Sequence, residues 1–331
     1  MTNSNSPIGI LIHGATAPNQ VSALSKKIEN FGFGSLWLSE DYFFLGGISS
    51  AAIALEATES IEVGIGILSA VVRHPAITAM EIATLVSAYP NRLLTGIGHG
   101  LPAWTQQMGL YPKSPLSALR ETIESVRALV KGSTLNKTDG LFEFNNISLT
   151  HPVEGDVNLM TGVIGPKSLE LSGEIADGTI MSVLVGPKYL EYAKKHVAVG
   201  AAKSGRDPNA HKLPTFVIFN VDEDRAQARA AARLGVGFYL GAVGPSPMTE
   251  VYGLNEQLTE LIEEGGIGAV TEQMPEEWLD LFSISGTPGD CAAQIPKFID
   301  AGATSIVLAP YPSIEIDRMI EITAKSLLPI F

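Results

Sequence analysis

The residues that can do chemistry in this chain fall into a few short runs. Gly96-Ile97-Gly98-His99-Gly100 sets one histidine among glycines, whose missing side chains let backbone approach a flat ring or a phosphate. A tight turn around an ordinary histidine uses the same residues. Gly162-Val163-Ile164-Gly165-Pro166-Lys167 joins a predicted strand to a predicted helix. Free N–H groups and the helix dipole attract anions there, and a phosphate is the natural guest. The plain alternative is a helix start with Pro166 at its first position and Lys167 facing solvent. Glu40-Asp41 is a carboxylate pair suited to acid–base work if burial raises one pKa, or else a solvated acidic loop. His13, His74 and His99 all fall near predicted strand ends, but no H-x-E or H-x-x-x-H spacing sets two on one face, so no metal site is predicted. Arg73 has the chemistry to pair with a carboxylate or a ligand oxygen. Trp104 can stack on a ring, line a pocket or simply pack.

The elements that must position these residues alternate. Ile65 and Ile67 lead an apolar strand ending at Leu68-Ser69, Pro75 opens a helix over 76–88, and Pro90-Asn91 stop it. Leu93 to Ile97 form the next strand, with the histidine-bearing turn at its carboxyl end. Ligand chemistry in parallel sheets collects at such ends. Further strands are predicted at Ile8–Ile12 and Leu36–Leu38, then over 157–163, 179–183, 213–221 and 305–308. A small hairpin over 142–149 lies outside the repeat. Eight strand–helix units predict an α/β fold, a single (β/α)8 TIM barrel forming one domain over 1–331. Residues 1–7 are a loose tail, and 241–285 are an insertion before the last strand, with a helix near Leu254–Glu264. An open doubly wound sheet would carry G-x-G-x-x-G after the first strand, and His13-Gly14-Ala15-Thr16 stands there instead.

Composition narrows the function classes. The 331 residues are 45% hydrophobic and 17% charged, which suits a filled interior. A formal net charge of -13 argues against broad binding to nucleic acid or an anionic membrane. Cys291 is the only cysteine, so no intrachain disulfide forms and a cytoplasmic setting fits. No signal peptide or membrane-spanning apolar run is read in the sequence.

The runs RHPAITA, YPNR, GIGHG and WTQQMG, followed by GPKSLELSGEIADG at 165–178, resemble the bacterial-luciferase-like superfamily. The similarity is to the branch using the deazaflavin coenzyme F420, which includes glucose-6-phosphate dehydrogenases and methylenetetrahydromethanopterin reductases. The resemblance implies an oxidoreductase moving a hydride between F420 and a small organic substrate. It implies that Gly98, His99, Gly100 and Trp104 border the cofactor and that Gly162 to Lys167 hold its phosphate tail. It also implies a bulge with a non-prolyl cis peptide at Ser69-Ala70-Val71-Val72 against the ring. His13, Glu40, Asp41 and His99 are the candidate catalytic residues. Relatives that oxidise sugar phosphates carry histidine at the position of Asp41 and an acidic residue at that of Leu101, so both departures argue against that substrate class. A two-component monooxygenase using reduced FMN and a non-catalytic flavin-binding protein are the alternatives. The resemblance further implies a homodimer paired through outer helices, here the alanine-rich 49–57 and 76–88.

Overall fold

Short apolar runs become the strands of one curled parallel sheet. The computed structural model describes residues 6–331. In chain order the strands are β1 (Ile8–Ile12), β2 (Ser35–Leu38), β3 (Glu62–Ser69), β4 (Leu93–Gly98), β5 (Leu135–Lys137), β6 (Phe144–Ile147), β7 (Asn158–Gly162), β8 (Thr179–Ile180), β9 (Pro214–Val221), β10 (Ser283–Gly286) and β11 (Ser305–Pro310). The main sheet runs β10-β9-β11-β1-β2-β3-β4-β7-β8, all parallel. β5 and β6 pair separately as an antiparallel hairpin. The flank of β8 also reaches the start of β9: Thr179 N–H donates to the Lys212 carbonyl at 2.8 Å and Met181 N–H to the Pro214 carbonyl at 2.9 Å.

The curl creates two interiors. Leu11, Trp37, Leu94, Met160, Ile180, Phe216, Val307 and Ala309, drawn from seven strands, form their own buried cluster on the concave side. Trp37 on β2 meets Phe216 on β9 edge-on at 5.3 Å across it. The larger cluster lies between the sheet and the outer helices, so the strands are buried on both faces, as all eight residues of β9 show. The helices Pro75–Ala88, Pro115–Val130, Pro166–Ile175, Pro187–Ser204 and Pro288–Ala301 all place proline in the first turn, where no N–H is needed. Asp177 ties the helix Pro115–Val130 and the turn after Pro187–Ser204 to the sheet, accepting from Leu159 N–H at 2.9 Å and from Arg127 and Arg206 at 3.0 and 2.7 Å. No helix among the described residues is long and apolar enough to cross a membrane.

Several boundaries differ from the sequence reading. The loose tail predicted over 1–7 lies, for residues 1–5, outside the described residues. Pro7 is tied in, its carbonyl accepting from Ile306 N–H at 2.8 Å. The segment 241–285 is not a clean insertion: the helix Arg225–Val243 runs into it, and its end enters the main sheet as β10. The helix expected near Leu254–Glu264 is Asn255–Gln273, kinked at Gly265 and Gly266. Trp104 sits on a short helix, Pro102–Gln107.

Candidate active site

Under the strand ends, Ile67 dictates the glycines. The pairing of β3 with β4 slips between Ile65 and Leu68, and the Gly66–Ile67 peptide is cis. This corrects the bulge expected at Ser69 to Val72, which lies three residues too late. The Ile67 side chain fills the space left by missing side chains on two neighbouring strands. A Cβ on Gly98 would stand 2.3 Å from Ile67 Cδ1, and one on Gly162 would stand 2.7 Å from its Cγ2. Gly96 would meet the same methyl at 2.7 Å. Both were expected to admit a ligand. Gly162 is instead glycine because it admits Ile67, and Gly98 because it admits both Ile67 and the Gly162 carbonyl, which would stand 2.5 Å from its Cβ. Gly100 differs: its φ of +72° is left-handed, and a Cβ there would press on Ser69 Oγ at 2.9 Å. Ser69 itself donates to the His99 carbonyl at 3.4 Å, and Ala70 N–H to the Gly98 carbonyl at 2.8 Å. Val71 is half-buried in the turn that follows.

Beyond β2, the two carboxylates part. Glu40 is buried and takes both arms of the Arg73 guanidinium at 2.7 Å each, together with Gly47 N–H at 2.8 Å and the Tyr42 hydroxyl at 3.2 Å. Glu40 is thus an anchor rather than half of an acid–base pair with Asp41. Hydrogen bonding to Glu40 holds the Arg73 pKa above its ordinary value. Burial, and then the Glu40 charge, push the Tyr42 phenol up to about 12. The Tyr42 ring meets Trp104 edge-on at 5.8 Å, joining the ends of β2 and β4. Asp41 has no salt-bridge partner among the described residues, and its charge contributes to a raised Tyr239 pKa, after burial. His13 turns inward on its own loop, Nδ1 accepting from Ala15 N–H at 3.0 Å, with Phe44 edge-on at 6.4 Å. Phe43 and Phe44 are exposed beside it.

The helix Pro166–Ile175 begins without a side-chain cap, with Gly165 at its N-cap position. The Lys167 and Ser168 N–H groups have no partner among the described residues. A Cβ on Gly165 would meet only Ser168 Oγ, at 4.0 Å, so the approach is open. His99 Nε2 lies 3.1 Å from Ser168 Oγ and links β4 to this helix start. Burial lowers the His99 pKa, partly opposed by the Pro115 backbone. The Tyr189 hydroxyl donates to the Ile164 carbonyl, and Val163 is buried in the core. Lys167 is exposed in an outer groove with Arg120 and Lys203, so it adopts the solvent-facing alternative.

His74 caps the helix Pro75–Ala88: Nδ1 accepts from Ala76 N–H at 3.2 Å, and the ring packs on Phe142 and Phe144. Among the described residues no group of histidines, cysteine and carboxylates is placed to hold a metal. Sequence reasoning missed Tyr42, Ile67 and Ser168. Tyr42 and Ser168 adjoined residues already singled out, but nothing local marked them.

Open strand ends on a curled parallel sheet, with an uncapped helix start beside them, define a ligand-binding α/β protein. Residues 5–305 match the family described as luciferase-like monooxygenase, and the chain belongs to that family. It is 31% identical over 314 residues to the 5,10-methylenetetrahydromethanopterin reductase of Methanolobus tindarius, covering 93% of this chain and 95% of that one. It is 26% identical over 281 residues to the F420-dependent glucose-6-phosphate dehydrogenase of Nocardia farcinica, covering 82% and 79%. The solved coenzyme F420-dependent tetrahydromethanopterin reductase of Methanopyrus kandleri superposes with a TM-score of 0.80 at 27% identity, over 98% of this chain and 99% of that one.

Proposed function

We propose that this protein is an oxidoreductase that moves a hydride between the deazaflavin coenzyme F420 and a small organic substrate. What carries the reading is similarity along nearly the whole chain to reductases and dehydrogenases whose names specify F420 or its partner pterin. The site fits an anionic cofactor. The free Lys167 and Ser168 N–H groups, the Ser168 hydroxyl and the open Gly165 can hold a phosphate, despite the net charge of -13. Backbone donors act at contact distance, whereas distant surface charge is screened over about 8 Å.

When bound, F420 would supply a ring carbon that gives or accepts the hydride. The chain's own residues then have three tasks. Ile67 and the turn at Ser69, Ala70 and Val71 provide a packed backing. Gly100, Trp104 and Tyr42 border the space above it and exclude water. Asp41 and His13 stand at the mouth, where substrate groups are oriented and a proton can be held. Glu40 fixes this wall through Arg73 rather than touching substrate.

The same reading takes the sheet as a closed (β/α)8 barrel forming one domain, supported by the β8–β9 backbone hydrogen bonds and the shared inner cluster. It takes the protein as a cytoplasmic homodimer. The helices Gly47–Ala57 and Pro75–Ala88 are apolar nearly all round, yet Ile53, Ile77 and Met80 on them are exposed. Fluorescence titration of the purified protein with F420 and with FMN tests the cofactor. The expected result is tighter binding of F420. Micromolar FMN binding without F420 binding would overturn the reading in favour of a monooxygenase.

A further inference from the structure

We propose that His99 takes up a proton when the anionic end of the cofactor binds, so that this side chain supplies the positive charge the site otherwise lacks. The proposal rests on the functional reading above. Its geometric basis is the 3.1 Å contact between His99 Nε2 and Ser168 Oγ, on the first turn of a helix whose Lys167 and Ser168 N–H groups have no partner among the described residues. Ser168 can accept from an Nε2–H and turn its own hydrogen toward an anion, so charge on the ring reaches the ligand through one hydroxyl.

Among the described residues, the cations on the neighbouring helices and on the end of β3 are engaged elsewhere. The end of β3 brings Ser69 and Ala70, and the next cation, Arg73, is held by Glu40. The helix Pro102–Gln107 has no ionisable residue. The helix Pro115–Val130 begins apolar, and its first cation, Arg120, is bound to Glu174 and Glu124. Lys167 on the helix Pro166–Ile175 lines the outer groove, where Glu170 and Glu174 stand beside it. His99 Nδ1 is buried with no hydrogen-bond partner among the described residues, and the Pro115 backbone favours the charged form of the ring.

Without an anion, burial lowers the His99 pKa, and the positive end of a helix dipole acts on a nearby cation in the same sense. An anion at that helix end reverses the balance. The proton comes from solvent and returns there on release, so nothing is oxidised or reduced.

The test is NMR of the protein labelled with carbon-13 at histidine Cε1, titrated alone and with saturating F420. The His99 signal among the six histidines is assigned by its loss in His99→Asn and His99→Gln. The expected result is a titration midpoint below that of an ordinary histidine in the free protein, rising by about one unit or more in the complex. F420 affinity should then increase by about tenfold or more in the wild type as pH falls through that interval, and the two variants should lack this increment. A midpoint that stays or falls on binding overturns the proposal, as does an unchanged pH dependence of affinity in both variants. Complete failure of F420 to bind the folded, labelled protein removes the functional reading itself, and this proposal with it.

Discussion

Arg73 grips Glu40 with two parallel hydrogen bonds of 2.7 Å, and the carboxylate side chain is only 2% exposed. The pair spans the turns after β2 and β3. Removing the cation leaves a buried carboxylate with only the Gly47 N–H and Tyr42 hydroxyl bonds and no counter-charge. Arg73→Ala should therefore destabilise the fold by about 3–5 kcal/mol, measured by urea denaturation. Arg73→Lys should recover only part of this, because an ammonium does not reproduce the two-armed geometry. A loss below about 1 kcal/mol in Arg73→Ala would show that solvent already screens the pair.

The packing of Ile67 against Gly162 predicts a compensating pair. Gly162→Ala places a methyl against Ile67 Cγ2 and Cδ1 at 2.7 and 2.8 Å, and should cost about 1–3 kcal/mol. Ile67→Ala should cost about 1–3 kcal/mol, because the side chain is only half-buried. The double variant should be more stable than the sum by at least about 1 kcal/mol. Simple additivity in denaturation midpoints would disprove the contact.

Gly165→Leu separates binding from folding. The backbone there, with φ -78° and ψ 151°, suits any residue, and the Cβ position is open. Stability should change by less than about 0.5 kcal/mol. F420 affinity should fall at least about tenfold, since the leucine side chain would stand in the approach to the free N–H groups. Unchanged affinity would take this helix start out of the site.

His211 predicts an acid-sensitive fold. It is buried and bonded to Thr179 Oγ1 at 2.8 Å, and burial depresses its pKa to about 4. The unfolded chain takes up this proton near the ordinary histidine value of about 6.5. Stability from the neutral ring is thus complete above that value and declines as pH falls toward about 4, by roughly 3 kcal/mol in all. His211→Gln should flatten this part of the stability profile. An equal slope in the variant would assign the acid sensitivity to other groups.

The exposed apolar residues on the paired outer helices carry the assembly prediction. Ile77→Glu with Met80→Glu should shift the protein from dimer to monomer in sedimentation at micromolar concentration, with the fold intact. A wild-type protein sedimenting as monomer would end the proposal.

Much of this architecture is readable from local pattern. Pro75 and Pro90-Asn91 bracket a helix whatever it packs against, and the apolar run of β9 reads as a buried strand by itself. β10 is different: Ser283-Ile284-Ser285-Gly286 has no apolar run and becomes a strand only because β9 offers it an edge. The site is less legible for the same reason. Glu40 and Arg73 stand 33 residues apart, and His99 and Ser168 stand 69 apart, so each residue's role is decided by a partner that spacing does not reveal. The glycines around His99 suggested room for a ligand because sequence registers a missing side chain without registering what fills the gap.

The seat of Ile67 also bears on how such a protein can diverge. One side chain presses on Gly96 and Gly98 of β4 and Gly162 of β7, so a change at Gly162 is harmful until Ile67 has already changed, while at Gly96 and Gly98 the Ile65 and Gly162 carbonyls forbid a side chain as well. Drift across this floor is blocked one step at a time. Phe43, Phe44 and Leu101, by contrast, stand in solvent around the strand ends and can be exchanged singly. New substrate preferences would therefore arise by turnover of the rim while the floor beneath stays frozen.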